Sequence, residues 1–542
     1  MSSRTDIFQF GHLGVYRPSN WNKTRNVSTS TTSLFATDAN CNTSLEPDLI
    51  HVTENNFQQR KLTALSSLDE GRQESLSPPK VFGLSHSFAI VLGSVLTESI
   101  LFSVNGVHSG TGGLVPALLV WFCCGAISFV GAQCYAEITT TIAENGGEFI
   151  LIYRTLNPMP AFMQIWFSLL AGTTMVSVTL AMLFSEYAFH VIFRQYGLDL
   201  PSHLLKLVAA LQLSAVFFLH CVSTKLVARF QVILTSLKFI CLSIILVAAV
   251  RYIFIGQGVN LPSELMKMES VDTMNILRAF SAASPVLLGW KKLTFVAAEI
   301  QNLERNVPLS MSISTILSTI IAICLHLAFA VVLSDQELQA DTPVIVLFAV
   351  RTMGPLAPLG LLLIMIQALC SMNTGILAGT RTLWAAARES MSPEFWAMLH
   401  IHRLSYVPAA LTLMTISMPM LFIEKLEQLL FVLGMFRWFP PLLVSAALLA
   451  HRWKFPDAHR PFKVPLVFPF ILIAFCLLQT VVTFIQHPLA MGICVIGILP
   501  AFPLFLFLVK LRRPAILFKL VEKATLFLQK VLLVAHDLKK TR

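Results

Sequence analysis

Gly93-Ser-Val-Leu-Thr-Glu-Ser-Ile-Leu-Phe102 lies inside an otherwise apolar stretch from Val81 to Val107. That stretch exceeds the roughly 20 residues a helix needs to cross the hydrocarbon core of a bilayer. Glu98 stands near its middle. Ionisable residues inside a span are expensive, and they face a cavity or a partner rather than lipid. The stretch therefore predicts a membrane helix with a functional interior.

The rest of the chain agrees. Of 542 residues, 55% are hydrophobic and only 13% charged, with 40 phenylalanines, too little polar surface to cover a soluble protein of this size. Apolar runs recur at Val81–Val107, Leu114–Ile142, Ala161–Phe193, Leu204–Val222, Phe230–Ile255, Met274–Ile300, Leu309–Leu333, Leu356–Ala387, Tyr406–Ile423, Leu429–Ala450, Leu466–Phe484 and Leu489–Leu511. They predict an all-α integral membrane protein of about twelve transmembrane helices, with the lipid bilayer as its solvent. Residues 81–511 form the membrane domain. Residues 1–80, rich in Ser, Thr, Asn and charge, read as a disordered tail, and residues 512–542 as a basic C-terminal tail.

The net charge of +10 needs no nucleic acid to explain it. Lys80, Arg154, Lys225, Arg229, Arg305, Arg388, Arg403, Arg452, Lys454, Arg460, Lys463, Arg512 and Arg513 flank one face of the predicted bundle. The other face has mainly Arg194, Lys206, Lys267, Arg351 and Lys425. This bias predicts both termini in the cytoplasm, where the sequons at Asn26 and Asn42 would go unused. The segment from Phe518 to Leu538 is basic and intermittently apolar, readable as an amphipathic helix on the inner leaflet or as a helix packed on the protein body. Of ten cysteines only Cys41 lies outside an apolar run, and CxxC spacing is absent. No metal or cofactor site follows, and no nucleophile–base–orienter arrangement of an enzyme can be argued.

The sixth run contains Pro285 and Gly289-Trp-Lys-Lys292, and the proline and glycine weaken the helix there. Interrupted segments in corresponding positions of two repeats point to a transporter's central site. The first and sixth runs form such a pair if ten spans make two five-span repeats.

Short motifs then appear in a familiar order. In the second run, Trp121-Phe-Cys-Cys-Gly125 and Gly131-Ala-Gln-Cys-Tyr-Ala-Glu137 are followed by Glu144-Asn-Gly-Gly-Glu-Phe149. Glu299 precedes Asn302-Leu-Glu-Arg-Asn-Val-Pro308, the eighth run brings Ser371-Met-Asn373, Arg381 and Arg388-Glu389 before Pro393, and His459-Arg-Pro-Phe-Lys-Val-Pro465 comes near the end. Together they resemble the L-type (heteromeric, glycoprotein-associated) amino acid transporters of the amino acid–polyamine–organocation superfamily. The resemblance implies the LeuT-type fold, two inverted five-helix repeats plus two helices. It also implies sodium-independent amino acid transport, often exchange, by alternating access at the plasma membrane.

By that resemblance the substrate site comprises Thr97, Glu98, Ser99, Ile100, Pro285, Leu287, Gly289, Trp290 and Lys291. The departures from the family are concentrated there. The family's G-S-G-I-F reads Thr97-Glu-Ser-Ile-Leu101, and its F-A-Y-G-G-W-N-Y reads Pro285-Val-Leu-Leu-Gly-Trp-Lys-Lys292. Arg437 stands where the family has asparagine in the tenth span. Glu98 would repel a substrate carboxylate by about 4 kcal/mol at about 4 Å and an effective dielectric near 20. It calls for a cation, and Lys291 or Lys292 would supply it, so that Glu98, Lys291, Lys292 and Arg437 form a candidate ion-pair or gating set. A pair of that kind would mimic a bound zwitterion. Alternatives are a Lys292 that snorkels to the interface, a protonated Glu98, a Trp290 used for packing, and Glu137 and Glu299 as conformational hydrogen-bonding groups near span ends.

The family's covalently paired members carry a cysteine between the third and fourth spans. The segment Phe193-Arg-Gln-Tyr-Gly-Leu-Asp-Leu-Pro-Ser202 has none, so a disulfide-linked heavy chain is not expected and a noncovalent partner stays open. The functional expectation is an amino acid transporter with an atypical central site, and its alternative a transport-inactive relative acting as sensor, scaffold or partner subunit. Epitope tags at either terminus should bind antibody only after permeabilisation. Staining of intact cells would reverse the orientation.

Overall fold

Each predicted apolar run corresponds to helical chain. The computed structural model describes residues 78–95, 99–193, 202–256, 272–339, 344–423, 435–510 and 515–536. The predicted N-terminal tail lies outside the described residues up to 77, as does the loop at 194–201, whose missing cysteine carried the heavy-chain expectation. Among the described residues, eight helices are long and apolar enough to cross a membrane, which makes this a multi-pass membrane protein.

The second span is one helix, Leu114–Ile142, and the third runs as Pro158–Phe167 and Val176–Phe193 around a π-helical turn, Ser168–Met175. The fourth, fifth, seventh and eighth are Ser202–Val222, Thr224–Phe254, Leu303–Val332 and Pro358–Arg388. The ninth is Val407–Met420, the tenth a 3₁₀ turn, Met435–Trp438, continued by Phe439–Lys454, and the eleventh Val467–Gln486. The twelfth is built from Pro488–Ile498, Ala501–Phe505 and the π turn Leu506–Lys510.

The first and sixth runs, expected as an interrupted pair, are divided. The first is Leu84–Ser94 and Ser99–Thr111, and the sixth is Thr273–Ala283 and a 3₁₀ helix, Ser284–Glu299. The first span packs on the sixth, the second on the seventh, the third on the eighth and the fourth on the ninth. Each therefore touches the span five places later, the signature of two five-span repeats. Among the described residues, Glu148–Thr155 and Val344–Met353 are helices that were not foreseen. Val344–Met353 is apolar but too short to cross, and it lies in the connection between the seventh and eighth spans.

The tail after the twelfth span forms a helix, Ala515–Leu532, and a strand β2, Val534–His536. That strand pairs antiparallel with β1, Met398–His400, in the link between the eighth and ninth spans. The helix rests on the adjoining turn Glu394–Ala397, so the body-packed reading of this segment holds for one of its faces.

Candidate functional site

The site begins where the first span stops being a helix. Val95 is extended (φ −85°, ψ 159°), so the first half-helix presents the carbonyls of its last turn inside the bundle. The sixth span meets it there. A Cβ on Gly289 would lie 2.1 Å from the Val95 amide nitrogen and 2.3 Å from the Ser94 carbonyl carbon. Only glycine permits that approach. Pro285 sits in the first turn of the 3₁₀ segment, and Val296 leaves helical geometry (φ −113°, ψ 19°) before its end. A 3₁₀ run of this length is unusual and marks strain or a hinge.

The opened carbonyls have a partner that sequence reasoning missed. Lys238, in the fifth span and 0% exposed, donates from Nζ to the backbone oxygens of Val95 (2.9 Å), Leu92 (3.2 Å) and Gly93 (3.4 Å). One turn away, Thr235 Oγ1 and Gln231 Nε2 donate to the Ala89 carbonyl at 3.1 and 3.3 Å. Gln231 in turn accepts from Asn373 Nδ2 (2.8 Å), and His220 Nε2 donates to Asn373 Oδ1 (3.0 Å), drawing in the eighth and fourth spans. The signal was available: a lysine near the middle of a 31-residue apolar helix is as anomalous as Glu98.

Around this junction the sequence-predicted residues divide. Ile100, Leu287, Gly289 and Trp290 are buried, and Pro285 is half-buried. Trp290 serves as packing: its Nε1 donates to Ser128 Oγ (2.8 Å), its ring meets Tyr135 edge-on at 4.6 Å, and Gly131 makes room for it. Ser128 donates to the Leu287 carbonyl at 2.6 Å, so the second and sixth spans are bonded together. Lys291 points to Glu148, with Nζ 3.6 Å from Oε1. Glu148 also accepts from Tyr135 Oη and Gln164 Nε2, both at 2.9 Å. Lys292 Nζ lies 5.8 Å from the centre of the Phe295 ring. Thr97, Glu98 and the Ser99 side chain lie outside the described residues, so the expected Glu98 pairing does too. Arg437 is exposed at the start of the tenth span.

Glu299 and Glu137 are the hydrogen-bonding groups expected at span ends. Arg381 pairs with Glu299 through two 3.0 Å bonds, all of it buried, while Tyr406 Oη (2.8 Å) and Asn145 Nδ2 (2.9 Å) also donate to Glu299. Glu137 accepts from Arg452 Nε (2.7 Å) and from the Val464 amide (2.8 Å). Arg154 bridges Glu144 and Glu389, each at 2.8 Å. At this Lys/Arg-rich end the first span is also tied to the sixth, since the Phe82 amide donates to the Glu299 carbonyl and the Gln301 amide to the Phe82 carbonyl.

Two interrupted helices, a buried cation on the carbonyls of one of them and buried ion pairs at one end are features of a broken-helix membrane carrier. Comparison with known proteins agrees. A sequence model of the amino acid permease family matches residues 82–498. The cystine/glutamate transporter of Homo sapiens is 31% identical over 478 residues, 88% of this chain and 95% of that protein. The large neutral amino acids transporter small subunit 2 of Rattus norvegicus is 27% identical over 497 residues, 89% and 93% respectively. The Asc-type amino acid transporter 1 of Mus musculus is 26% identical over 468 residues, 85% and 88%.

The contact at Gly289 is open to test. An added methyl there has no room, whereas one at Gly492 in the twelfth span meets nothing within 4 Å. Gly289→Ala should lower the melting temperature in detergent, at a cost of about 1–3 kcal/mol or more from overpacking. Gly492→Ala should leave it level or raise it, because alanine is the better helix former. Equal effects would mean that the two broken spans do not touch as described.

Proposed function

Because the chain belongs to the amino acid permease family, we propose that it moves amino acids by alternating access without sodium, binding them between the broken first and sixth spans. The observation that carries this reading is the Lys238 ammonium on the Leu92, Gly93 and Val95 carbonyls. In sodium-coupled carriers, freed carbonyls at half-helix ends bind the metal ion. Here a fixed cation of the protein takes that role. The substrate carboxylate would face the N-terminal end of the second half-helix, which begins at Ser99, where the helix dipole is positive. Glu98 at that spot must be offset before a carboxylate can approach, and the sixth span offers Lys291 and Lys292.

A second reading has its own support, namely that the chain is a transport-inactive relative acting as sensor, scaffold or partner subunit. Glu98 facing Lys292 would fill the site with an internal zwitterion, Lys291 being already engaged by Glu148. In either case the plasma membrane is the proposed location and both termini the proposed cytoplasmic ends. Any partner would be held noncovalently, since Phe193 to Ser202 contains no cysteine.

Proteoliposomes loaded with a panel of amino acids decide between the readings. Exchange of labelled amino acid should proceed equally in sodium and in choline buffer. Stimulation by sodium would refute the role given to Lys238, and absence of uptake and exchange across the panel would favour the second reading.

The lysine pairing is separable by double-mutant cycles on thermal stability. Lys291→Met with Glu148→Gln should be non-additive, because removing one partner strands a buried charge at a cost of roughly 3–5 kcal/mol. Glu98→Gln should couple with Lys291→Met or Lys292→Met in the same way. Simple additivity of Glu98→Gln with both lysine changes would remove the internal zwitterion.

A further inference from the structure

The helix Ala515–Leu532 is fixed at both ends to the same face of the bundle. Only residues 511–514 separate it from the twelfth span, which ends at Lys510, so it starts within about 18 Å of that end. At its far end β2 pairs with β1, and Val534 is buried with Met398 and Val407. With 18 residues it is about 27 Å long. It therefore lies across the ends of the spans, at the level of the membrane surface.

Most of its side chains fall into three arcs at about 100° per residue, with Leu526, 51% exposed, standing between the lysines and Glu522. Thr525, Leu528 and Leu532 face the body: Thr525 is buried, and the two leucines pack on the cluster around Val534. Lys519, Lys523 and Lys530 form an exposed stripe. Beside that stripe Leu520, Phe527 and Val531 lie within about 40° of one another, and they are 59%, 65% and 58% exposed. A surface helix in water would not place a leucine, a phenylalanine and a valine together in the open.

We propose that this third face is a binding surface for the anionic inner leaflet, with Leu520, Phe527 and Val531 inserted among the acyl chains and Lys519, Lys523 and Lys530 at the phosphates. An amphipathic helix flanked by lysines binds anionic membranes through both terms. The assignment to the inner leaflet rests on the cytoplasmic placement of the termini argued above.

The test uses the full chain in nanodiscs, whose two leaflets are identical, so an error in orientation cannot mimic a failure of lipid binding. A photo-crosslinking phenylalanine analogue is placed at Phe527 or at Glu522, on the opposite side of the helix. Position 527 should attach to lipid and position 522 should not. Adding phosphatidylserine to phosphatidylcholine should raise the yield at 527 by at least about fivefold, the effect of one lysine near an anionic surface. The combined change Lys519→Gln, Lys523→Gln and Lys530→Gln should abolish that rise and leave the melting temperature unchanged. Equal labelling at 522 and 527, a yield indifferent to phosphatidylserine, or a crosslink from 527 to a second protein copy in place of lipid would each overturn the proposal.

Discussion

Ending a helix inside a membrane is the constraint on which the rest of this structure depends. Water cannot satisfy the freed carbonyls there, and each unsatisfied group costs several kcal/mol. The chain meets that cost at Leu92, Gly93 and Val95 with the ammonium of Lys238, which donates to all three carbonyls. The negative end of the helix, equivalent to about half a charge, favours a cation at this point. Gln231, Thr235, Asn373 and His220 then hold the fifth, eighth and fourth spans in register with that contact.

The same junction determines how the two ends of the bundle can move. The first half-helix is tied to the fifth span by Lys238 and to the end of the sixth by the Phe82 backbone bonds. These pieces form a unit. That unit meets the eighth and ninth spans through Glu299, Arg381 and Tyr406, a group wholly removed from solvent. Separating a buried ion pair leaves two stranded charges, whereas a half-exposed one is released cheaply into water. Opening at this end therefore runs more readily through Arg154, Glu144 and Glu389, all at least partly solvated, than through Arg381 and Glu299.

How much of this could be read from the chain depended on the kind of signal. Spans were legible because lipid enforces length and hydropathy together, and Leu114–Ile142 appears with the same boundaries in sequence and structure. The two breaks were legible because Glu98, Pro285 and Gly289 violate local rules. Lys238 violates the same rule as Glu98 and went unread, since no family motif drew the eye to it. Glu148 was seen as part of a motif, but its role depends on Tyr135, Gln164 and Lys291 arriving from three other segments. Pairings of that kind are set by tertiary geometry, which neither spacing nor propensity encodes. The short strand pair joining Met398–His400 to Val534–His536 was invisible for the same reason, as three residues carry no periodicity.

The first-span motif lacks the glycines of the family's G-S-G-I-F. The structure shows how the break survives. Close approach needs a residue without a side chain on one of the two facing backbones, and Gly289 of the sixth span provides it against Ser94 and Val95. The first span is then free to carry side chains nearby. Glu148 is the carboxylate beside Lys291, so among the described residues the Lys291–Lys292 pair holds one positive charge more than Glu148 offsets. A carboxylate on the facing break has the right sign to balance it.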